Sequence, residues 1–171
     1  GDVYKRQCLM SEEIGDRSGN RGMCAQPCRL PFTSAYGNGH LFSTKDMCTL
    51  MHIPELVDAG IDSFKIEGRM KKKEYSAYLS SLYRHYVDVY ESEGKETFQA
   101  LVQNKESRLW KDIRRSKDIY NRGGFCAGYL FETDKKNIMY PKKNGHFGTC
   151  VGTVLKASKG QAVFLSLIHI S

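Results

Sequence analysis

The chain has 171 residues, a formal net charge of +7, 40% hydrophobic residues and a mean hydropathy of −0.49. These values are typical of a soluble globular protein that can bury a core, either as one domain or as part of a larger one. No stretch approaches the roughly 18 apolar residues of a membrane-spanning helix, and no signal peptide is visible, so we expect a cytoplasmic protein without a membrane partner. The basic excess favours acidic partners such as RNA, although ordinary solvated lysines and arginines explain it equally well.

The two ends of the chain look foreign to the rest. DVYKRQ at 2–7 resembles a translated sequencing-library adapter, and LSLIHIS at 165–171 resembles the same adapter read from the opposite strand. We therefore expect residues 1–7 and 165–171 to be adapter scars, and we expect 8–164 to be an internal piece of a longer protein.

The remaining chain alternates between helical and extended patterns. Residues 8–39 show no period and are expected to form a long loop. A hydroxyl followed by a carboxylate predicts a helix start at 43–46, and Pro54 begins a second short helix, PELVDA, at 54–59. Residues 61–66 are typical of a buried strand, and the spacing of apolar residues predicts a long helix over 72–92 that Gly94 ends.

The order of these elements predicts an α/β unit with parallel strands. Residues 8–95 form the core in this interpretation, and the charged segment 96–120 is a helical connector. From 121 onwards, short apolar pieces are separated by Asn, Gly, Lys and Pro. We therefore expect a β-rich C-terminal domain to begin within 121–164.

Four cysteines, Cys8, Cys24, Cys28 and Cys48, cluster in the first third of the chain. The proline between Cys24 and Cys28 limits backbone freedom, so both thiolates could face one centre. Cys48 is expected in the first turn of a helix, where the helix dipole favours the thiolate that binds metal. This pattern predicts a metal or iron–sulfur site.

The spacing alone leaves several alternatives open. Four thiolates suit zinc as well as an iron–sulfur centre. Disulfides are disfavoured because nothing points to secretion. Cys126 and Cys150 are expected to be buried structural cysteines.

The predicted strand ends in the charged sequence KIEGR. Because strand side chains alternate, Lys65, Glu67 and Arg69 share one face, while Phe64 and Ile66 share the other. Ligands of parallel α/β folds bind at the carboxyl ends of strands, so these three charged residues are catalytic candidates. The structural alternative is an ion pair within the trio that only orders the chain.

Five segments match the motifs of one family. They are QCLMS at 7–11, RSGNRGMCAQPCRLP at 17–31, STKDMC at 43–48, IPELVDAGIDSFKIEGRMK at 53–71 and NRGGFCAGYLF at 121–131. Together they resemble the collagenase-like peptidase family U32, and the resemblance extends along nearly all of residues 8–154.

The resemblance implies a fold, a reaction and a cofactor. The fold is expected to be the C-terminal part of a TIM-type barrel, followed by a helical segment and the start of a β-rich domain. Several family members are oxygen-independent hydroxylases with a 4Fe–4S cluster, and some hydroxylate position 5 of a pyrimidine in tRNA or 23S rRNA, with prephenate as the implicated oxygen donor. The open alternatives are a collagenase-like peptidase, for which no familiar catalytic motif is present, and a zinc-stapled RNA-binding module.

Site residues can be transferred only where the motifs match. Cys8 and Cys24 match the most dependable cluster ligands, while Cys28 and Cys48 compete for a third position and a further ligand is expected a few residues before Cys8. Within the same matching segments, the candidate substrate-binding residues are Arg17, Asn20, Arg21 and Lys45. The resemblance also implies that the piece alone is inactive, because the first half of the barrel is missing.

Overall fold

The computed structural model describes residues 8–68, 71–148 and 150–167, without the side chain of Asn20. Five α-helices lie in these ranges: α1 (Met10–Gly15), α2 (Ile53–Asp58), α3 (Lys73–Gln103), α4 (Arg108–Ile119) and α5 (Gly128–Phe131). The strands are β1 (Phe32–Ser34), β2 (Gly37–Gly39), β3 (Asp46–Met47), β4 (Phe125–Cys126), β5 (Gly152–Ser158) and β6 (Gln161–Ser166). Short 3-10 helices cover Gly19–Arg21, Pro27–Arg29, Leu50–His52 and Lys135–Ile138.

The hydrophobic core lies where α3 and α4 pack against α2 and the turn that precedes it. α3 presents an apolar stripe at helical spacing, as the sequence predicted, and it contributes the buried Leu82, Tyr86 and Phe98. Leu50 and Ile53 close the core from the other side. Each fully buried side chain of this size stabilises the fold by about 1.5–3 kcal/mol relative to leaving it exposed.

Gly94 interrupts the helical geometry of α3. Its backbone has φ 80° and ψ −179°, which is not helical, so two helical stretches meet at a kink. The prediction that Gly94 ends the first helix is therefore confirmed. The predicted helical character of 96–120 is confirmed for 96–103 and 108–119, which a short break separates.

The strands form three separate two-stranded sheets. β1 pairs with β2 and β5 pairs with β6, both antiparallel, while β3 pairs with β4 in parallel. The described residues therefore form a mixed α/β structure, and no barrel is found among them. β6 extends into the segment that starts at Leu165.

The segment after α4 folds back on the chain before α2. The backbone N–H of His40 donates to Pro141 O at 2.8 Å, and that of Lys45 donates to Ile138 O at 2.8 Å. β4 adds the parallel pairing with β3. Residues 121–148 therefore cover residues 39–48, and both segments contribute to the same region of the molecule.

Three predictions of local structure are wrong. Residues 61–66 form no regular secondary structure, and no strand within the described ranges pairs with them. Residues 43–46 do not start a helix, since Arg29 donates to Ser43 Oγ and Asp46 joins β3. The predicted loop 8–39 contains α1 and the β1–β2 hairpin.

Candidate functional site

A cavity of about 810 Å³ lies beside β3 and the N-terminal part of α3. Its apolar lining includes Leu56, Ile61, Phe64, Ile66, Leu130 and Phe131. Its charged lining consists of the basic Arg29, Lys45, Lys65, Lys71 and Arg122 and the acidic Asp46 and Glu67. Ligand pockets in proteins have this size and this combination of apolar surface with a few polar groups.

Arg29 is held in the cavity by uncharged acceptors. Its Nη1 donates to Ser43 Oγ and to Thr44 O, both at 2.7 Å, and its Nη2 donates to Thr44 Oγ1 at 3.2 Å. Burial and, next, the positive charge of Arg122 lower the pKa of Arg29. The guanidinium is therefore fixed by the loop before β3 but remains near a second positive charge.

Asp46 and Arg122 form the ion pair that connects β3 with the turn before β4. Arg122 donates from Nε at 3.0 Å and from Nη2 at 2.6 Å to Asp46 Oδ1, and its backbone N–H donates to Oδ2 at 2.8 Å. Burial opposes the charged form, but the hydrogen bond and the negative charge of Asp46 outweigh it and raise the pKa of Arg122. The pair fixes the guanidinium of Arg122 at the cavity.

Two of the three catalytic candidates line the cavity. Lys65 and Glu67 are exposed, and the flanking Phe64 and Ile66 are half-buried, so the alternation predicted from the sequence persists without a strand. Arg69 lies outside the described residues. Lys45, a substrate-binding candidate, also lines the cavity and donates from Nζ to Asn137 Oδ1.

The other substrate-binding candidates lie elsewhere. Arg17 is exposed and its Nε donates to Met23 O at 2.9 Å, within its own loop. Arg21 is exposed at the end of a 3-10 helix. Neither lines the cavity. The side chain of Asn20 is not described.

The four clustered cysteines separate into different surroundings. Cys8 and Cys24 are exposed, and the backbone of Cys8 and the side chain of Cys24 both lie beside Gly19, where a Cβ atom would be 3.6 Å from Cys8 O and 4.0 Å from Cys24 Sγ. Cys28 is half-buried and lines the cavity beside Arg29. Across the described ranges, no three His, Cys, Asp or Glu side chains are arranged to hold a metal ion.

Cys48 occupies a different environment from the one predicted. It lies between β3 and a 3-10 helix, not in the first turn of an α-helix, and its backbone N–H donates to Cys126 O at 2.9 Å. Burial raises the pKa of the Cys48 thiol, which disfavours the thiolate. The dipole argument for Cys48 as a ligand is therefore wrong. Among the remaining cysteines, Cys126 is buried as predicted, while Cys150 is exposed, against the prediction.

Sequence reasoning missed the contribution of Arg122 to this site. Its segment, NRGGFCAGYLF at 121–131, stood out in the sequence, but its pairing partner lies 76 residues earlier, and nothing local in the sequence connects the two. Tyr120, next to it, is stacked on His146 with ring centroids 4.9 Å apart, and the ammonium of Lys71 lies over the Tyr120 ring. Both Tyr120 and Lys71 line the cavity.

The fold and the site together define a mixed α/β protein with a basic, partly apolar cavity, and Cys28 lies in the lining of this cavity. The sequence model of peptidase family U32 matches residues 3–140. The chain belongs to this family, which confirms the family resemblance drawn from the motifs.

Curated relatives carry names of two kinds. An Escherichia coli protein named as a 23S rRNA 5-hydroxycytidine synthase is 32% identical over 164 residues, covering 92% of this chain and 24% of its own length. A Bacillus subtilis tRNA hydroxylation protein is 36% identical over 101 residues, covering 52% of this chain and 24% of its own. A Porphyromonas gingivalis protein named collagenase is 34% identical over 91 residues, covering 49% of this chain and 25% of its own length.

The chain therefore spans about a quarter of the length of these relatives. No solved structure matches the chain. Within the described residues, no helix combines the length and the apolar character needed to cross a membrane.

Proposed function

We propose that the protein acts in RNA modification as an iron–sulfur-dependent, oxygen-independent hydroxylase of position 5 of a pyrimidine in tRNA or 23S rRNA. The observation that carries this proposal is the cavity in which Cys28, Lys45, Lys65 and Glu67 come together. Since the chain spans only part of its relatives, the proposal concerns the activity of the whole protein to which these residues contribute.

The chemistry of the cavity suits a nucleotide. Arginine and lysine side chains bind phosphate, and apolar or aromatic side chains such as Phe64 and Phe131 provide a surface for a base. Lys65 and Glu67 would contact and orient the ligand. Two of the relatives named above have RNA hydroxylation in their names, which supports RNA over a protein substrate.

The proposed cofactor is a 4Fe–4S cluster, with zinc as the alternative. Cys8 and Cys24 support it because both are exposed and both lie beside Gly19, whereas the half-buried Cys48 lies against Tyr83 and Cys126. The described thiols alone do not complete a ligand set, so we derive no reaction step through the cluster. Such a cluster would supply electron transfer, and prephenate is the proposed oxygen donor in a cytoplasmic enzyme.

The proposal is tested by complementation in a bacterial strain that lacks its own U32 hydroxylation gene. We expect the whole protein that contains these residues to restore the 5-hydroxylated pyrimidine, detected by mass spectrometry of digested tRNA and 23S rRNA. Glu67→Gln should abolish this restoration, while the exposed Glu13→Gln on α1 should not. No hydroxylated pyrimidine with the wild-type protein, or equal levels with Glu67→Gln, would contradict the proposal.

A peptidase is the second candidate, because one relative is named a collagenase. It predicts cleavage of gelatin by the purified protein and loss of that cleavage in Glu67→Ala and Cys24→Ser. Cleavage that persists in both variants would identify a contaminating protease. Metal analysis after anaerobic purification distinguishes the third candidate, since stoichiometric zinc without iron would indicate a zinc-stapled RNA-binding module.

A further inference from the structure

The geometry points to an oxyanion-binding site formed by Arg29 and Arg122 in the cavity, for a phosphate or carboxylate group of the ligand. The inference deepens the proposed function by naming a chemical group that the cavity binds. It stands on the charges and contacts of the described residues, so it can fail or hold independently of any hydroxylation.

The first argument is the charge around the two guanidinium groups. Arg29 and Arg122 are both half-buried, and both line the same cavity. Asp46 is the carboxylate beside them, and Arg122 engages it through two side-chain hydrogen bonds. Asp46 thus acts on both positive charges, in a place where water screens charges poorly.

The second argument is the hydrogen bonding of Arg29. In the part of the chain that the structure describes, its guanidinium donates only to a serine hydroxyl, a threonine hydroxyl and a backbone carbonyl. These contacts fix the orientation of the planar group without neutralising it. A preorganised guanidinium of this kind binds carboxylate or phosphate with little further loss of side-chain freedom.

The third argument is the rest of the lining. Lys45 and Lys71 add positive charge to the same cavity. Lys45 is held by Asn137 and Lys71 by the ring of Tyr120, so both contacts are with uncharged groups. An anion between the arginines would relieve their repulsion and would attract these lysines. The apolar lining then leaves room for the uncharged body of the ligand.

The experiment measures how inorganic phosphate raises the thermal midpoint of the anaerobically purified protein at constant ionic strength, with chloride as the comparison salt. We expect saturable stabilisation of the wild type. Arg29→Gln and Arg122→Gln should each weaken the apparent affinity about tenfold or more. Arg114→Gln is the matched control, because this exposed arginine lies on α4 and does not line the cavity.

Arg29→Lys keeps the test decisive if Arg29→Gln fails to fold. It keeps the charge but loses the planar fork, so phosphate should bind severalfold more weakly than to the wild type. Equal phosphate stabilisation of the wild type, Arg29→Lys and Arg122→Gln would overturn the inference. So would a chloride effect as large as that of phosphate.

Two further probes identify the source of the anion. One probe is the binding of a short single-stranded RNA at several salt concentrations. If an RNA backbone supplies the anion, Arg29→Gln should reduce the slope of log binding constant against log salt concentration by about 0.7. If a small organic acid supplies it, malonate should replace phosphate and the RNA slope should not change. Retained phosphate binding in a protein that fails to hydroxylate RNA would reject the proposed function and leave the anion site intact.

Discussion

At the scale of single residues, Tyr83 shows how burial controls a titratable group next to the site. The N–H of Thr49 donates to its hydroxyl at 3.0 Å, and the Thr49 hydroxyl is 3.2 Å away. Burial is the main reason that the pKa of Tyr83 rises to about 12, and the nearby Cys48 adds to it. The Tyr83 hydroxyl fixes Thr49, which follows β3 in the chain. Because the pKa of Tyr83 differs between the folded and the unfolded protein, its ionisation changes the free energy of unfolding.

Tyr83→Phe tests this coupling. At pH 8 the variant should be about 1 kcal/mol less stable, because it leaves the Thr49 N–H without its acceptor. The stabilisation by neutral Tyr83 is fully present below its unfolded pKa of about 10 and is lost as the pH rises through about 12. In urea unfolding, the wild type should therefore lose its higher free energy of unfolding between pH 10 and 12, and above that range Tyr83→Phe should be the more stable protein.

The exposed Tyr36 provides the control for this titration, since its side chain is 101% accessible. The free energy of unfolding of Tyr36→Phe should equal that of the wild type at every pH. A constant difference in free energy of unfolding between wild type and Tyr83→Phe across pH 8–12 would show that the ionisation of Tyr83 is not coupled to folding.

The cysteines make a second prediction at this scale. If Cys8 and Cys24 bind iron around Gly19, Cys24→Ser should lose most of the bound iron after anaerobic purification, as measured by elemental analysis. Cys48→Ser should keep it, because the half-buried Cys48 contacts Tyr83 and lies next to Cys126 instead. Equal loss in both variants would place Cys48 among the ligands.

At the scale of elements, α3 depends on Gly94 for its kink. The residue has φ 80° and ψ −179°, a conformation that is essentially restricted to glycine. A Cβ atom at this position would have no other atom within 4 Å, so strain alone opposes a side chain. Gly94→Ala should therefore destabilise the protein by about 1–3 kcal/mol in chemical unfolding.

Gly15 is the matched control for this substitution. It ends α1, and a Cβ there also meets nothing within 4 Å. Gly15→Ala should leave stability unchanged or raise it by up to about 1 kcal/mol, because alanine favours the helix. If Gly15→Ala lowered the free energy of unfolding as much as Gly94→Ala does, the backbone conformation at the kink would not be the cause of the destabilisation.

The elements also show what could be predicted from the sequence. α2, α3 and α4 were predictable because their apolar spacing, Pro54 and Gly94 are local signals. The exposed and half-buried alternation of 64–67 was predictable for the same reason. β3 was not, because the local hydroxyl–carboxylate pattern at 43–46 predicts a helix cap, whereas contacts with Arg29 and Arg122 use these side chains instead.

At the scale of the whole molecule, the candidate site depends on contacts between distant parts of the chain. Cys28, Lys45 and Lys65 share the cavity only because the loop before β3 and the segment after α2 approach it together. The resemblance named Cys28 and Lys45 as candidates, but the closeness of Arg29 and Arg122 follows from the packing of residues 121–148 on 39–48. Gly39 lies at this contact, where a Cβ would be 2.7 Å from Pro141 O.

The Asp46–Arg122 pair should hold these two segments together. The side chains are 18% and 24% exposed, so solvent screens them far less than a surface pair. In a double-mutant cycle with Asp46→Asn and Arg122→Gln, we expect a coupling energy of about 1.5–3 kcal/mol in chemical unfolding. Either single variant should also speed hydrogen exchange of the amides of Lys45 and Tyr140, which bond across the same contact.

The exposed pair Arg84–Asp88 on α3 is the control cycle, since both side chains are 60% exposed. Its coupling should be much smaller than that of the Asp46–Arg122 pair, as for other exposed helical pairs, and its variants should leave the exchange of Lys45 and Tyr140 unchanged. Equal coupling in the two cycles would show that the contact between 39–48 and 121–148 rests on backbone pairing instead.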